Sequence, residues 1–397
     1  MGSTAAETKQ YSIILNESGL EAIVCTRGVG INALSIVRAL GRSGIRVYVI
    51  ASDLGQNLVS LSRYCVTAVE FNQTGSDEFC RVLRATVDQC DNRPLLYIDN
   101  DLHLQYFLGN KELEKEVLFT GSVDLSRKLL DKKNQVLSAI EAGLDVPESW
   151  FPLSWDEIST LRSVSGKRLI AKKRFPLNPE RDEFKVLSAQ DGKTLCRELQ
   201  KYRIRPEELF VQEYISGHDT DVYFALCYQP FHVDYPAIVT GRKLIQSGSG
   251  DGGIMILGTA EQNKTVRNLT TRYIKYLGYW GYFGIEFKYC REKKKYYFIE
   301  VNTRPERCNA LARVAGVDLD CMSYLDAVGH VKVGEAAGKL QHPGVWLDGR
   351  KIFETLRRQR RRQDFIYFMK ALPKNKEWAV WALDDMKPFW RYFLKKF

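Results

Sequence analysis

The sequence predicts an α/β domain, then an α+β region, closed by a basic and aromatic segment. Three observations carry this reading. Short apolar runs alternate with amphipathic stretches over about residues 10–120, the pattern of parallel strands and crossover helices. From Ser122 onward, short strands, helices and glycine turns mix without a repeat. Past residue 335 the chain becomes rich in Arg, Trp and Phe. At 397 residues it is too long for one ordinary core, and 45% hydrophobic with 27% charged residues excludes wholesale disorder. The expected units are 1–120, 121–335 and 336–397.

In chain order, Ala22–Thr26 reads as a strand, Asn32–Leu40 as a helix broken by Gly41 and Gly44, and Val47–Ala51 as a second buried strand. YCVTAVEF, DEFCRVLRATVDQC and PLLYID continue the alternation. SRKLLDKKNQVLSAIEAG reads as one amphipathic helix, stopped by Gly143 and Pro147. RLIAKKRF and ELFVQEYI are short strands around a helix at GKTLCRELQKY. DVYFALCY and FHVDYPAIV read as strands, followed by the glycine-rich GSGDGG and a helix at VRNLTTRYIKYLG. A hairpin ends this part: YFGIEFKYC, the charged turn REKKK, then YYFIEVN.

That hairpin carries the strongest chemical signal. Alternate side chains on a strand share a face, so Glu300, Asn302 and Arg304 should project together, and pairing across the turn can bring Glu286 to the same face. Two carboxylates and an amide oxygen are hard ligands suited to magnesium, and an unpaired carboxylate inside an apolar strand is costly. Arg304 could grip a phosphate in a bidentate fork. Lys172 ends a strand and Lys132 sits in a polar helix; in isolation each is an ordinary solvated lysine. Gln212 and Glu213 lead into a glycine turn with Asp219, where an extended segment can read a base edge and a carboxylate can bind ribose hydroxyls. GSGDGG offers backbone N–H groups to phosphates.

In this order, DKKNQVLSAIEAGLDVPESW, LIAKKRFP, FVQEYISGHD, GRKLIQSGSGDGG and YFGIEFKYC with YFIEVNTRP resemble the carbamoyl-phosphate-synthase-like ATP-grasp ligases that include D-aspartate ligases. The resemblance spans about residues 20–330. It implies a Rossmann-like pre-ATP-grasp domain, then an ATP-grasp domain of two α+β subdomains with a lid over about 160–215. It implies ATP lysines at Lys132 and Lys172, an adenine hinge over Gln212, Glu213 and Ile215, and Asp219 at the ribose. Mg2+ (or Mn2+) would sit on Glu286, Glu300 and Asn302, with Arg304 and Lys243 at the transferred phosphate. The implied reaction turns a carboxylate into an acyl phosphate that an amine attacks, releasing ADP. The partners would be a small or glycan-linked carboxylate and an amine such as an amino acid, and a dimer is compatible. Lys173 follows Lys172 where many members have proline, leaving the register between the two open.

A rival reading rests on Gly28-Val-Gly30-Ile-Asn-Ala33, a G-x-G-x-x-A turn after a strand, with Asp53 ending the next strand. That is the spacing of a dinucleotide site, hence of an NAD-dependent oxidoreductase. Nine cysteines without C-x-x-C spacing suit a reducing, cytoplasmic setting, and neither a signal peptide nor an apolar run of about 18 residues is evident. The five histidines are dispersed. The net charge of +10 concentrates toward the end, where Arg357, Arg358 and Arg360–Arg362 stand among Phe365, Tyr367, Trp378, Trp381, Trp390 and Phe393. Such a helical segment suits an anionic membrane surface, nucleic acid, or simple packing of its aromatics on the preceding domain.

Overall fold

A computed structural model describes residues 19–72, 75–162, 166–176, 184, 186–247, 253–329 and 342–394. The first unit is a five-stranded parallel sheet: β1 (Ala22–Arg27), β2 (Val47–Ser52), β3 (Cys65–Glu70), β4 (Leu95–Ile98) and β5 (Leu118–Phe119), in the order β3-β2-β1-β4-β5. Alternation along β1 serves two cores at once. Ala22 and Val24 pack with Leu34 and Val37 of the helix Ile31–Arg42, whereas Ile23 and Cys25 pack with Phe79 and Leu83 of the helix Ser76–Val87. The sheet is therefore covered on both faces, as the apolar runs predict. Strand order reverses between β1 and β4, which opens a crevice at their carboxyl ends.

The next unit is a small antiparallel sheet of β6 (Ser149–Trp150), β7 (Leu169–Lys173), β8 (Val186–Ala189) and β9 (Leu209–Glu213), ordered β6-β9-β7-β8. Helices Trp155–Thr160 and Gly192–Leu199 cover one face through Ile158, Leu195 and Leu199, against Leu169, Ala171, Leu209 and Val211. The opposite face carries Ile170, Lys172 and Gln212 toward the cavity described below.

The largest sheet contains β10 (Val222–Gln229), β11 (Ala237–Gln246), β12 (Met255–Ala260), β13 (Gly281–Cys290), β14 (Lys295–Asn302), β15 (Gly344–Leu347) and β16 (Lys376–Trp378), ordered β14-β13-β10-β11-β12-β15-β16. One core runs from the first domain into it: Val24 and Leu34 share a cluster with Phe224, Leu226, Leu311 and Tyr324. Ala225 and Cys227, on the other face, pack with helix Lys264–Leu277 through Val266 and Ile274.

Three sequence expectations change. The single helix over SRKLLDKKNQVLSAIEAG is two, Val123–Leu129 and Lys132–Glu141. Asp131 caps the second through Lys133 N and is itself gripped by Arg174 at 2.6 Å, so a local cap wins over continuous periodicity. FHVDYPAIV is a strand only from Ala237, and that strand runs on to Gln246. The turn before it lies between Pro230 and Pro236, whose missing N–H groups do not suit a ladder. Finally, the described part of 336–397, residues 342–394, is not helical throughout. β15 pairs with β12 and β16 with β15, so this segment completes the large sheet, with helices Gly349–Gln359, Arg362–Ala371 and Lys387–Leu394 around it.

Candidate active site

The hairpin β13–β14 brings its acids together as expected, with one refinement. Glu286 and Glu300 are direct cross-strand partners, and Asn302 opposes Gly284. A bulge shifts the register between Glu286 and Phe287, so Phe298 and Val301 face the core while Ile299, Glu300 and Asn302 all line the cavity. Strict alternation would not allow adjacent residues to share a face; the bulge re-aims them.

Both carboxylates are met by lysines. Lys243 Nζ on β11 lies 2.7 and 2.8 Å from the two Glu286 oxygens, and Lys132 Nζ, in the first turn of its helix, lies 2.6 Å from Glu300 Oε2. Burial alone would favour neutral amines. The adjacent carboxylates outweigh it and hold both ammonium groups above their usual range. Among the described residues no three His, Cys, Asp or Glu side chains group as a metal cluster; the set here is two carboxylates with an amide.

Lys172 and Gln212 lie on the neighbouring strands β7 and β9, and Lys172 Nζ donates to Gln212 Oε1 at 3.1 Å. Lys173 also lines the cavity, with its ammonium 5.4 Å from the Phe184 ring centroid. Cavity position therefore does not choose between the two lysines. At the end of β9, Glu213 N and Tyr214 N donate to the Glu148 and Arg168 carbonyls, and the chain then crosses through Ile215 into the large sheet.

Ten of the eleven candidate residues line one cavity of about 450 Å³ between the small and large sheets. These are Lys132, Lys172, Gln212, Glu213 and Ile215 on one side, with Lys243, Glu286, Glu300, Asn302 and Arg304 on the other. Asp219 is the exception: its carboxylate accepts Gln246 N at 3.2 Å and Gln246 Nε2 at 3.1 Å, tying down the end of β11. Of the glycine-rich loop, Gly253 lines the cavity, and 248–252 lie outside the described residues.

Three cavity residues were missed by sequence reasoning. Arg304 forks onto Asp101 at 2.5 and 3.2 Å, which holds its guanidinium above its ordinary value despite burial. Asp99 stands nearby; burial pushes its carboxyl up, against donation from Thr26 Oγ1 at 2.7 Å and Asn100 Nδ2 at 3.1 Å. Both acids follow β4 at the reversal of strand order, a signal that the sequence DND after a strand could have given. Glu306 accepts from Asn302 Nδ2 at 2.6 Å; burial raises its proton affinity, Arg304 lowers it, and Glu286 raises it again.

The glycine turn of the rival reading is filled by the protein itself. Gly30 has φ 70°, and a Cβ there would lie 2.8 Å from both Asn57 Nδ2 and Val59 Cγ2. Asn57 Nδ2 also donates to the Gly28 carbonyl and Leu58 N to that of Val29. Asp53, with φ 61°, turns the chain and accepts from Gln56 N instead of closing a strand. These glycines serve a close internal contact.

Residues 256–331 match the family model of the carbamoyl-phosphate synthase L chain, ATP binding domain. No curated protein matches the chain. Among solved structures, the biotin carboxylase–beta-gamma-ATP complex of Campylobacter jejuni superposes with a TM-score of 0.62 at 15% identity, covering 83% of this chain and 75% of that one. L-amino acid ligase of Bacillus licheniformis gives 0.60 at 14% identity, covering 81% and 77%. Rhizobium etli pyruvate carboxylase gives 0.60 at 14% identity over 82% of this chain, which spans only 30% of that much longer one. Residues 256–331 are thus similar to the ATP binding domain of the carbamoyl-phosphate synthase L chain, and the chain as a whole shares its fold with these solved structures.

Proposed function

We propose that the chain is an ATP-dependent carboxylate–amine ligase working with Mg2+ (or Mn2+), which forms an acyl phosphate and passes its acyl group to an amine, releasing ADP and phosphate. The observation that carries this is the opposed pair Glu286 and Glu300, each matched to a lysine, beside Asn302 in the cavity between two sheets. Glu306 stands beside this set, accepting from Asn302 Nδ2 at 2.6 Å. Glu286, Glu300 and Asn302 would hold the ion, which supplies charge neutralisation for phosphate oxygens.

The remaining roles follow from side-chain chemistry. Lys132 and Lys172 act as compact charges for phosphate oxygens, and Lys243 stands where it can meet the transferred group. Arg304, already planar and forked on Asp101, can turn its donors to an acyl phosphate without a large ordering cost. With the N–H groups of Glu213 and Tyr214 engaged, Ile215 is the hinge residue whose backbone can read a base edge. Asp219 would act indirectly, by fixing Gln246 at the cavity wall. Little covalent chemistry is asked of such a protein, only positioning and neutralisation. The acid would be a small or glycan-linked carboxylate and the amine an amino acid or similar, D-aspartate included. All nine cysteines are free, which suits a cytoplasmic setting, and among the described residues no helix is long and apolar enough to cross a membrane.

The test is ADP release against a panel of carboxylates, with hydroxylamine as a small trap for acyl phosphate. Hydroxamate forming in step with ADP for some member supports the reading. ADP release that ignores every carboxylate removes it.

A further inference from the structure

The residues from His342 to the end contain fourteen Lys and Arg against six Asp and Glu, so they hold most of the chain's net charge of +10. Their acids are largely turned inward. Asp348, Asp364 and Asp385 are buried, and Asp384 is paired with Arg42 of the first domain at 2.8 Å. What faces outward is cationic, including Arg357, Arg358, Arg360, Arg361 and Arg362.

Large apolar side chains are exposed on the same segment. Leu383 is 79% exposed, Leu394 74% and Trp390 54%, with Phe353, Phe393 and Trp381 also open. Phe353, Trp378, Trp381, Phe389, Tyr392 and Phe393 line an apolar cavity of about 400 Å³. The helix Lys387–Leu394 buries Pro388 and Tyr392 and leaves Trp390, Phe393 and Leu394 outward. This face is fixed from beneath: Tyr392 Oη donates to both Asp348 oxygens at 3.0 Å, and Arg307, a wall residue of the main cavity, donates to Asp348 at 2.5 Å. The exposed aromatics thus sit on a rigid platform one ion pair away from the candidate active site.

We propose that this face docks on an anionic lipid surface, with Trp381, Trp390, Phe393 and Leu394 in the interfacial layer and the arginines against lipid phosphates. Exposed Leu and Phe beside Trp and a cationic field are what a peripheral protein presents to a charged bilayer. Nucleic acid would satisfy the arginines but leave Leu383 and Leu394 against water. A second copy of the same face would meet its own positive charge.

The test uses the full chain and co-sedimentation with vesicles of phosphatidylcholine, with and without phosphatidylglycerol. Binding is expected only with phosphatidylglycerol and should weaken with salt. Arg357→Ser with Arg358→Ser should weaken it roughly thirtyfold, about fivefold per arginine. Trp390→Ser with Leu394→Ser, both surface changes checked by unaltered thermal melting, should weaken it roughly tenfold or more. Protein left in the supernatant at low salt overturns the proposal, as does binding that the apolar double variant retains. Tighter binding to duplex nucleic acid than to the anionic vesicles, or a dimer that the apolar variant dissolves, also overturns it. None of these readouts depends on ligase activity.

Discussion

The glycine turn Gly28–Ala33 and the acidic hairpin Glu286–Asn302 both look like ligand motifs in sequence, yet they end in opposite situations. At the turn, every close approach is taken by the protein: Asn57 and Val59 fill the space beside Gly30. At the hairpin, the acids face a cavity and are met by lysine ammonium groups rather than by packed backbone. A glycine pattern reports that something comes close, without saying whether it is a ligand or a neighbouring loop. Carboxylates set into apolar strands are harder to explain by packing, because burying them without cations is costly. The second kind of signal is therefore the better guide to chemistry.

The largest effect expected from this contrast is at the hairpin. Glu300→Gln keeps shape but removes the charge opposed to Lys132, and should lower kcat by roughly a thousandfold, about 4 kcal/mol, with thermal melting nearly unchanged. ADP release by the variant checks this; an active Glu300→Gln protein would break the comparison. Gly30→Ala is the counterpart. Its φ of 70° and the 2.8 Å approaches should cost about 1–3 kcal/mol of stability, seen as a lower denaturation midpoint. Turnover per folded molecule should stay within about twofold, and NADH fluorescence should report no binding to either protein.

Much of the architecture was legible because it rests on period. Buried parallel strands gave continuous apolar runs, and the hairpin gave two strands around a charged turn. What the sequence hid was set by long-range contacts. The bulge that puts Ile299 and Glu300 on one side depends on the pairing of β13 with β14, which alternation cannot reveal. The break at Asp131 depends on Arg174, forty-three residues later. Asp101 belongs to the first domain and meets Arg304 across 203 positions, so no local pattern links them. β15 and β16 joined the large sheet because β12 offered an open edge, and only the completed sheet shows that edge. For the candidate site, residue types and order found ten of the cavity residues, whereas Asp219 lost its place to Gln246.

A smaller effect sharpens the contrast from within the first domain. His103 is fully buried beside Phe71 and Phe79, and neither ring nitrogen has a hydrogen-bond partner among the described residues. Burial, helped by the Arg27 charge, lowers its pKa from 6.5 to about 3. The unfolded chain therefore takes up a proton below about pH 6.5 that the folded chain refuses. Stability from the neutral ring is present above that pH and is lost as pH falls toward 3, by about 1.4 kcal/mol per pH unit at most. His103→Leu removes the titrating group and both unpaired nitrogens, so its denaturation midpoint should change less than that of the natural chain between pH 7.5 and 5.5. A slope equal to the parent's would assign the acid sensitivity to other groups. Activity per folded molecule should not move, because this histidine belongs to the packed half of the comparison and not to the cavity.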